Sequence, residues 1–131
     1  MAKIRHIAIC AQDPFKLAEF YKETFGMHEV QRMEKSVFVS DGYINLALLP
    51  ASANDGKEGI AHFGFQVEDP EEIARRGKAA GAQTGIAPRP RDGRYAEFRI
   101  HDPVGTGVDL AKAGWAVEPE SAEAMAARVE A

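Results

Sequence analysis

Four polar side chains, two of them histidines, are spaced so that one falls on each of four predicted β-strands. They are His6, Asn45, His62 and Asp109. Neutral imidazoles and a carboxylate are ligands of first-row divalent metals, and two histidines with one carboxylate leave coordination positions open. Asn45 offers only a carbonyl oxygen, as a weak ligand or as a hydrogen-bond partner. These residue types predict a divalent metal (Fe, Zn, Ni, Co or Mn) that acts as a Lewis acid on a bidentate oxygen substrate.

Structural roles compete with this interpretation. A single strand histidine is more often a hydrogen-bonded structural residue than a ligand, and only its repetition favours a metal. Glu97 falls on the same predicted face, either as a further ligand or general base or as half of an exposed edge pair with Arg99. Tyr43, Gln66 and Arg99 are candidate substrate contacts. Cys10 has no basic neighbour on its strand face, so we expect a buried small hydrophobe rather than a nucleophile.

An internal repeat accounts for the two histidines. Residues 4–24 align with residues 60–80 at a shift of 56, and a later segment aligns at a shift of 64. The equivalent positions include His6 and His62, Asp13-Pro14 and Asp69-Pro70, and Ile44-Asn45-Leu46 and Val108-Asp109-Leu110. Each half therefore predicts a strand, a helix and then further strands.

Local signals place these elements. An aspartate followed by proline is a typical helix start, at Asp13-Pro14 and at Asp69-Pro70, and Gly26 is a typical stop. Strands are expected over residues 3–10, 28–33, 35–40 and 43–49 in the first half, and over 60–67, 83–87, 94–101 and 106–112 in the second.

Alternation along these strands separates two faces. One is uniformly apolar and is expected to pack under the helices. The other carries the polar set, and a small residue stands two positions beyond each member: Ala8, Ala47, Gly64 and Ala111. Because interiors tolerate few voids, small residues beside polar ones predict a hollow that binds a ligand.

The chain of 131 residues suits a single domain. The first module covers about residues 1–50, a linker covers 51–59, the second module covers about 60–112, and a helical tail covers 113–131, with a helix over 118–130. This tail is expected to pack on the body or on a partner chain.

Composition excludes several classes of protein. The lone cysteine excludes an intramolecular disulfide and cysteine-based zinc motifs. A formal charge of −4 argues against nucleic-acid binding, and with no signal peptide or membrane-length apolar run we expect a cytoplasmic protein with no membrane partner. Arg89, Arg91 and Arg94 predict a solvated loop and are a weak indication of a carboxylate or phosphate on the substrate.

In their order and spacing these motifs resemble the vicinal oxygen chelate superfamily, which includes glyoxalase I, methylmalonyl-CoA epimerase, extradiol dioxygenases and bleomycin- and fosfomycin-resistance proteins. The motifs are Arg5-His6-Ile7-Ala8-Ile9, Asp13-Pro14, Phe20-Tyr21, Phe25-Gly26, Ile44-Asn45-Leu46, the segment 61–67, Asp102-Pro103-Val104-Gly105 and Val108-Asp109-Leu110. The resemblance implies an α+β fold of paired βαβββ modules, with a cupped mixed sheet around a metal site, helices on the outer face and a homodimer. It places metal ligands at His6, Asn45, His62 and Asp109.

Two ligand positions depart from the family's usual His, Glu, His, Glu. Asn45 replaces a carboxylate, which argues against a four-ligand zinc or nickel site, although epimerases carry an amide near this place and dioxygenases use three ligands. Asp109 replaces glutamate and shortens the reach by one methylene, so that the site loosens or Glu97 takes over.

The function expected is that of a metal-dependent glyoxalase- or dioxygenase-like enzyme acting on a small oxygenated metabolite, as a lyase, an isomerase or epimerase, or a dioxygenase. Glu97 is the expected base. The alternative is a metal-free protein that sequesters a ligand, as bleomycin-resistance relatives do. Only Tyr43 is an aromatic residue placed to fill the hollow, which counts against that alternative, and a purely structural dimer module would leave the polar face unused.

Overall fold

The computed structural model describes residues 1–88, 96 and 98–119. Both halves fold as a strand, a helix and three more strands, which confirms the predicted α+β class and the paired βαβββ modules. The first module contains β1 (Lys3–Ala11), α1 (Pro14–Phe25), β2 (His28–Arg32), β3 (Val37–Ser40) and β4 (Asn45–Pro50). The second contains β5 (Gly59–Gln66), α2 (Pro70–Ala79), β6 (Thr84–Pro88), β7 (Phe98–His101) and β8 (Gly107–Ala111). A short 3₁₀ helix, Ala51–Asn54, lies in the predicted linker.

By its contacts the chain divides into two compact units. Of the described residues, the first unit takes 6–61 and 116–119, and the second takes 1–5 and 62–115. Among the described residues no helix combines the length and the apolar character needed to cross a membrane.

The first module orders its strands β2-β3-β4-β1. Strands β1 and β4 run parallel, and β3 pairs antiparallel with both β2 and β4. The apolar face packs under α1 as predicted, since Ala18 of the helix contacts a buried cluster of strand residues. That cluster is Val37, Val39, Leu46 and Leu48, joined by Ile7 and Ile9.

The second module repeats this arrangement with the order β5-β8-β7-β6. Strands β5 and β8 are parallel, and β7 pairs antiparallel with β6 and β8. Ala74 of α2 packs on Val108 and Leu110, and the partly buried side chains of Phe63, Phe65, Phe98 and Ile100 surround them. The polar residues of each module therefore lie on the opposite face from the helix.

Both helices begin as the sequence predicts. The Asp13 carboxylate accepts hydrogen bonds from the backbone N–H groups of Phe15 and Lys16, and Asp69 accepts one from Glu72. Gly26 ends α1 with φ at 70°, a left-handed conformation that glycine adopts without steric cost.

The strand bounds lie within two residues of the predicted ones except at the start of β7, where part of the predicted strand falls outside the described residues, and side chains cap two of the turns between strands. Strand β4 begins at Asn45 rather than 43, because the Asp41 carboxylate accepts the N–H groups of Tyr43 and Ile44 and so holds them in the turn. Between β7 and β8, Asp102 Oδ1 accepts the N–H groups of Val104 and Thr106. The predicted Arg89–Arg94 loop falls within residues 89–95, which lie outside the described part of the chain. The predicted 118–130 helix lies outside it from residue 120 on.

Candidate functional site

In the first unit, the parallel pairing of β1 with β4 sets His6 directly beside Asn45. Both are buried, at 5% and 0% exposure. His6 Nδ1 lies 3.2 Å from Asn45 Oδ1, and Asn45 Nδ2 donates to the carbonyl of Ala116 at 2.8 Å. Because Nδ2 is the donor to Ala116, Oδ1 is the acceptor that faces His6. His6 Nδ1–H therefore donates to Asn45, and the lone pair of the neutral imidazole lies on Nε2.

Of the two roles that the sequence left open for Asn45, the structure shows the hydrogen bond. The amide oxygen faces the ring of His6 and the amide nitrogen is held by the backbone, so Asn45 is a hydrogen-bond partner of the histidine. Metal-binding histidines typically have such a partner on the second ring nitrogen, which fixes the tautomer and the ring orientation.

In the second unit, Arg99 of β7 lies directly opposite Asp109 of β8. The guanidinium donates two hydrogen bonds to the carboxylate, one from Nε to Oδ1 and one from Nη2 to Oδ2, the latter at 3.2 Å. His62 of β5 reaches the same carboxylate oxygen as Arg99 Nη2, with Nε2 at 3.3 Å from Asp109 Oδ2. These three side chains form a buried or half-buried cluster, with exposures of 26%, 7% and 15% for Arg99, Asp109 and His62.

Asp109 is held as a carboxylate in this cluster. Burial alone would raise its pKa, but hydrogen bonds from His62 and Arg99 and the positive charge of the guanidinium outweigh burial. The pKa of Asp109 therefore lies well below its usual range. An ionised, desolvated carboxylate beside an imidazole is the donor pair that a divalent cation requires.

The spacing of that pair fits a single ion. Two ligand atoms that share one metal at about 2.1 Å, with angles between 90° and 109°, are about 3.0–3.4 Å apart. His62 Nε2 and Asp109 Oδ2 are 3.3 Å apart. The two residues can thus bind one cation without rearrangement of the backbone.

Arg99 has a partner that the sequence did not indicate. It was expected either to contact substrate or to form an edge pair with Glu97, and its partner in the structure is Asp109. Its Nη2 also lies 3.3 Å from His62 Nε2. Glu97, the expected base, lies outside the described residues. The signal that was available is the position of Arg99 across from Asp109 in an antiparallel pair.

The expectation that small residues border a hollow is wrong at Gly64. A Cβ placed on Gly64 would lie 2.5 Å from Cη2 of Trp115, whose indole covers this position. Trp115 is 7% exposed and packs with Ala96 and Ala111. The small residues of this strand pair therefore leave space for the indole of Trp115, a residue that the sequence analysis placed in the tail.

The remaining predicted contacts are dispersed. Gln66 accepts a hydrogen bond from the Arg5 side chain at 2.8 Å and donates to the carbonyl of Lys112 at 3.3 Å, so it links that side chain to the backbone of Lys112. Tyr43 lies in the turn before β4 and is 47% exposed. Cys10 is buried, and burial raises the pKa of its thiol, in agreement with the expected inert role.

The family is established by comparison with known proteins. The sequence model of the Glyoxalase/Bleomycin resistance protein/Dioxygenase superfamily matches residues 3–110. The chain belongs to this superfamily. The predicted resemblance to vicinal oxygen chelate proteins is thereby confirmed, and a comparison with curated protein sequences gives no match.

Several solved structures share the fold. The 2,3-dioxygenase LapB from Pseudomonas sp. KL28 is 19% identical with a TM-score of 0.70, over 92% of this chain and 44% of that one. A Streptomyces coelicolor methylmalonyl-CoA epimerase variant in complex with 2-nitronate-propionyl-CoA is 25% identical with a TM-score of 0.58, over 82% and 94%. A hypothetical protein from Bacillus halodurans C-125 is 20% identical with a TM-score of 0.62, over 83% and 92%.

Proposed function

We propose that this superfamily member is a metal-dependent enzyme that acts on a small oxygenated metabolite, as a lyase, an isomerase or epimerase, or a dioxygenase. His6, His62 and Asp109 would hold the divalent metal. The observation that carries the proposal is the donor pair of His62 Nε2 and Asp109 Oδ2. These atoms are 3.3 Å apart, and Asp109 is held as a carboxylate.

His6 is assigned as the third ligand from two independent features. It occupies the position in the first module that His62 occupies in the second. Its Nδ1–H is also committed to Asn45, which leaves the lone pair on Nε2, the atom that a metal would take. Asn45 then acts through His6 rather than as a ligand.

Each residue has a distinct task in this proposal. The metal, when bound, supplies a Lewis acid that polarises two substrate oxygens. Asn45 holds the ring of His6, and the buried position of Asp109 keeps water away from its carboxylate. Glu97 is proposed as the general base from its place in the sequence, and a homodimer with a small-molecule substrate is the proposed assembly.

The test is metal analysis of the purified chain, expressed without chelator, together with Co²⁺ titration of the metal-stripped protein followed by visible absorption. We expect about one ion per chain and loss of binding in His6→Ala and His62→Ala, because each variant removes a ligand. The matched control is His28→Ala, since His28 Nε2 bonds to the carbonyl of Val117 in the structure. Equal metal content in all four proteins would overturn the proposal.

A metal-free ligand-sequestering protein is the second candidate, and one observation favours it. Arg99 already neutralises the negative charge of Asp109 from within the chain, so this carboxylate needs no metal to balance its charge. This candidate predicts that binding of an apolar ligand is unaffected by chelator and that His62→Ala leaves it unchanged.

A further inference from the structure

Arg99 occupies the position beside Asp109 that a metal would need, and this relation has a consequence beyond the proposed function on which it rests. Its Nη2 lies 3.2 Å from Asp109 Oδ2 and 3.3 Å from His62 Nε2, the two atoms assigned to the metal. A guanidinium and a divalent cation repel each other, and Nη2 lies against both atoms assigned to the metal, so the two cations compete for the same carboxylate oxygen.

We propose that Arg99 is an exchangeable internal cation: it binds Asp109 in the metal-free chain, gives up the shared oxygen when a divalent metal binds, and then binds a negatively charged oxygen of the substrate. The substrate class that follows is a small carboxylate, because in the metal-free chain the guanidinium already binds a carboxylate.

The surroundings of Arg99 allow this exchange. The guanidinium side chain is 26% exposed, so solvent and small solutes reach it. Gly107, the neighbour of both His62 and His101 in the strand register, leaves its side-chain position open beside Arg99, and an added Cβ would lie 3.7 Å from Arg99 Cδ. The arginine therefore lies along a glycine rather than against a larger side chain at this position.

Charge argues for an anionic substrate. Among the described residues of this cluster, one guanidinium is paired with one carboxylate, and their charges balance. Addition of a divalent ion to the neutral imidazoles and this pair leaves a net positive charge in a buried site, where unbalanced charge is costly. A substrate anion bound to both the metal and the released guanidinium removes that excess.

The first measurement is Co²⁺ affinity of the metal-stripped protein by absorption titration, for the wild type and for Arg99→Met, Arg99→Lys and Arg5→Met. Arg99→Met removes the internal competitor and is expected to bind Co²⁺ at least about tenfold more tightly. Arg99→Lys keeps the charge but loses the bidentate contact, so its affinity should lie between those of the wild type and Arg99→Met. Arg5→Met is the matched control, because Arg5 donates to Gln66 rather than to Asp109. Thermal unfolding of each variant checks that it is folded.

The second measurement is binding of oxalate, a bidentate anion, to the Co²⁺-loaded proteins through the shift of the cobalt spectrum. Arg99→Met should bind oxalate at least about tenfold more weakly than the wild type, while Arg5→Met should not differ. The two Arg99→Met effects therefore have opposite signs, which removal of a merely structural residue would not produce.

The outcomes separate this inference from the proposed function. If the wild type binds Co²⁺ through His6 and His62 but Arg99→Met shows no gain, the exchange is wrong and the metal site stands. Equal oxalate affinity in the loaded wild type and Arg99→Met overturns the substrate class. If neither protein binds Co²⁺, both the proposed function and the exchange are wrong.

Discussion

His6 donates its Nδ1–H to Asn45 across the parallel β1–β4 pair, and the Asn45 amide is itself fixed by the carbonyl of Ala116. This chain of two hydrogen bonds links a ring on the first strand to the backbone beyond the last one. It sets both the orientation and the tautomer of the imidazole before any ligand arrives.

Loss of the Asn45 amide should therefore lower the affinity for a metal without removal of a metal ligand. We expect Asn45→Ala to reduce Co²⁺ affinity about 10–100-fold, the range for the partner of a ligating histidine. Asn45→Asp keeps an acceptor for His6 Nδ1–H and should retain more affinity than Asn45→Ala. Absorption titration measures both, and complete loss of binding in Asn45→Ala would indicate that Asn45 is itself a ligand.

The contact of Gly64 with Trp115 predicts overpacking. A Cβ at Gly64 would lie 2.5 Å and 2.8 Å from two ring atoms of the indole, so Gly64→Ala should lower the free energy of unfolding by about 1–3 kcal/mol. Gly107→Ala is the control, since its nearest neighbour atom would lie at 3.5 Å. In denaturant unfolding, the double variant Gly64→Ala with Trp115→Ala should be less destabilised than the sum of its parts. Additive effects would show that the indole does not restrict this position.

Glu29 predicts a loss of stability in acid. Hydrogen bonds from Arg32 and Lys22 lower the pKa of Glu29 from 4.5 to about 2. A carboxyl with a lowered pKa in the folded state stabilises the fold above its unfolded pKa, and this contribution is lost as pH falls from 4.5 toward 2. Glu29→Gln should flatten the dependence of unfolding free energy on pH in that window, whereas Glu23→Gln, an exposed change on α1, should not. Parallel pH profiles for the wild type and Glu29→Gln would contradict this.

The two helix starts offer a matched pair of variants. Asp13 caps α1 through two backbone N–H groups and Asp69 caps α2 through one. Asp13→Ala and Asp69→Ala should each lower the free energy of unfolding by about 1 kcal/mol, and Asp→Asn at either position should cost less, because asparagine also caps. Chemical denaturation of the four variants measures this, and no loss in either alanine variant would count against the cap.

Much of the scaffold could be predicted because residues close together in the chain determine where its helices and strands begin. The Asp-Pro dipeptides set both helix starts, and strict alternation put Phe63, Phe65, Val108 and Leu110 on the helix side. Repetition of His6 at His62 located two of the polar residues. These signals depend on neighbours in the chain, so a single sequence contains them.

The pairings within the site were not local and were missed. Arg99 grips Asp109 only because β7 and β8 align in one register, and Trp115 covers Gly64 from a segment without strand or helix periodicity. Small residues beside polar ones predict space, but not whether a ligand or a side chain fills it. The role of Asn45 likewise depended on which end of its amide the carbonyl of Ala116 takes.

The turn between β7 and β8 has a bearing on chemistry although it contributes no side chain to the cluster. Asp102 ties the N–H groups of Val104 and Thr106, and Gly105 adopts φ of 94°, which fixes the number of residues in the connection. Insertion or deletion of a single residue there would slide one strand past the other and turn alternate side chains to the reverse surface. The guanidinium of Arg99 would then no longer lie opposite the carboxylate of Asp109. The length of this hairpin loop is therefore as much a requirement of the site as the identities of these two residues.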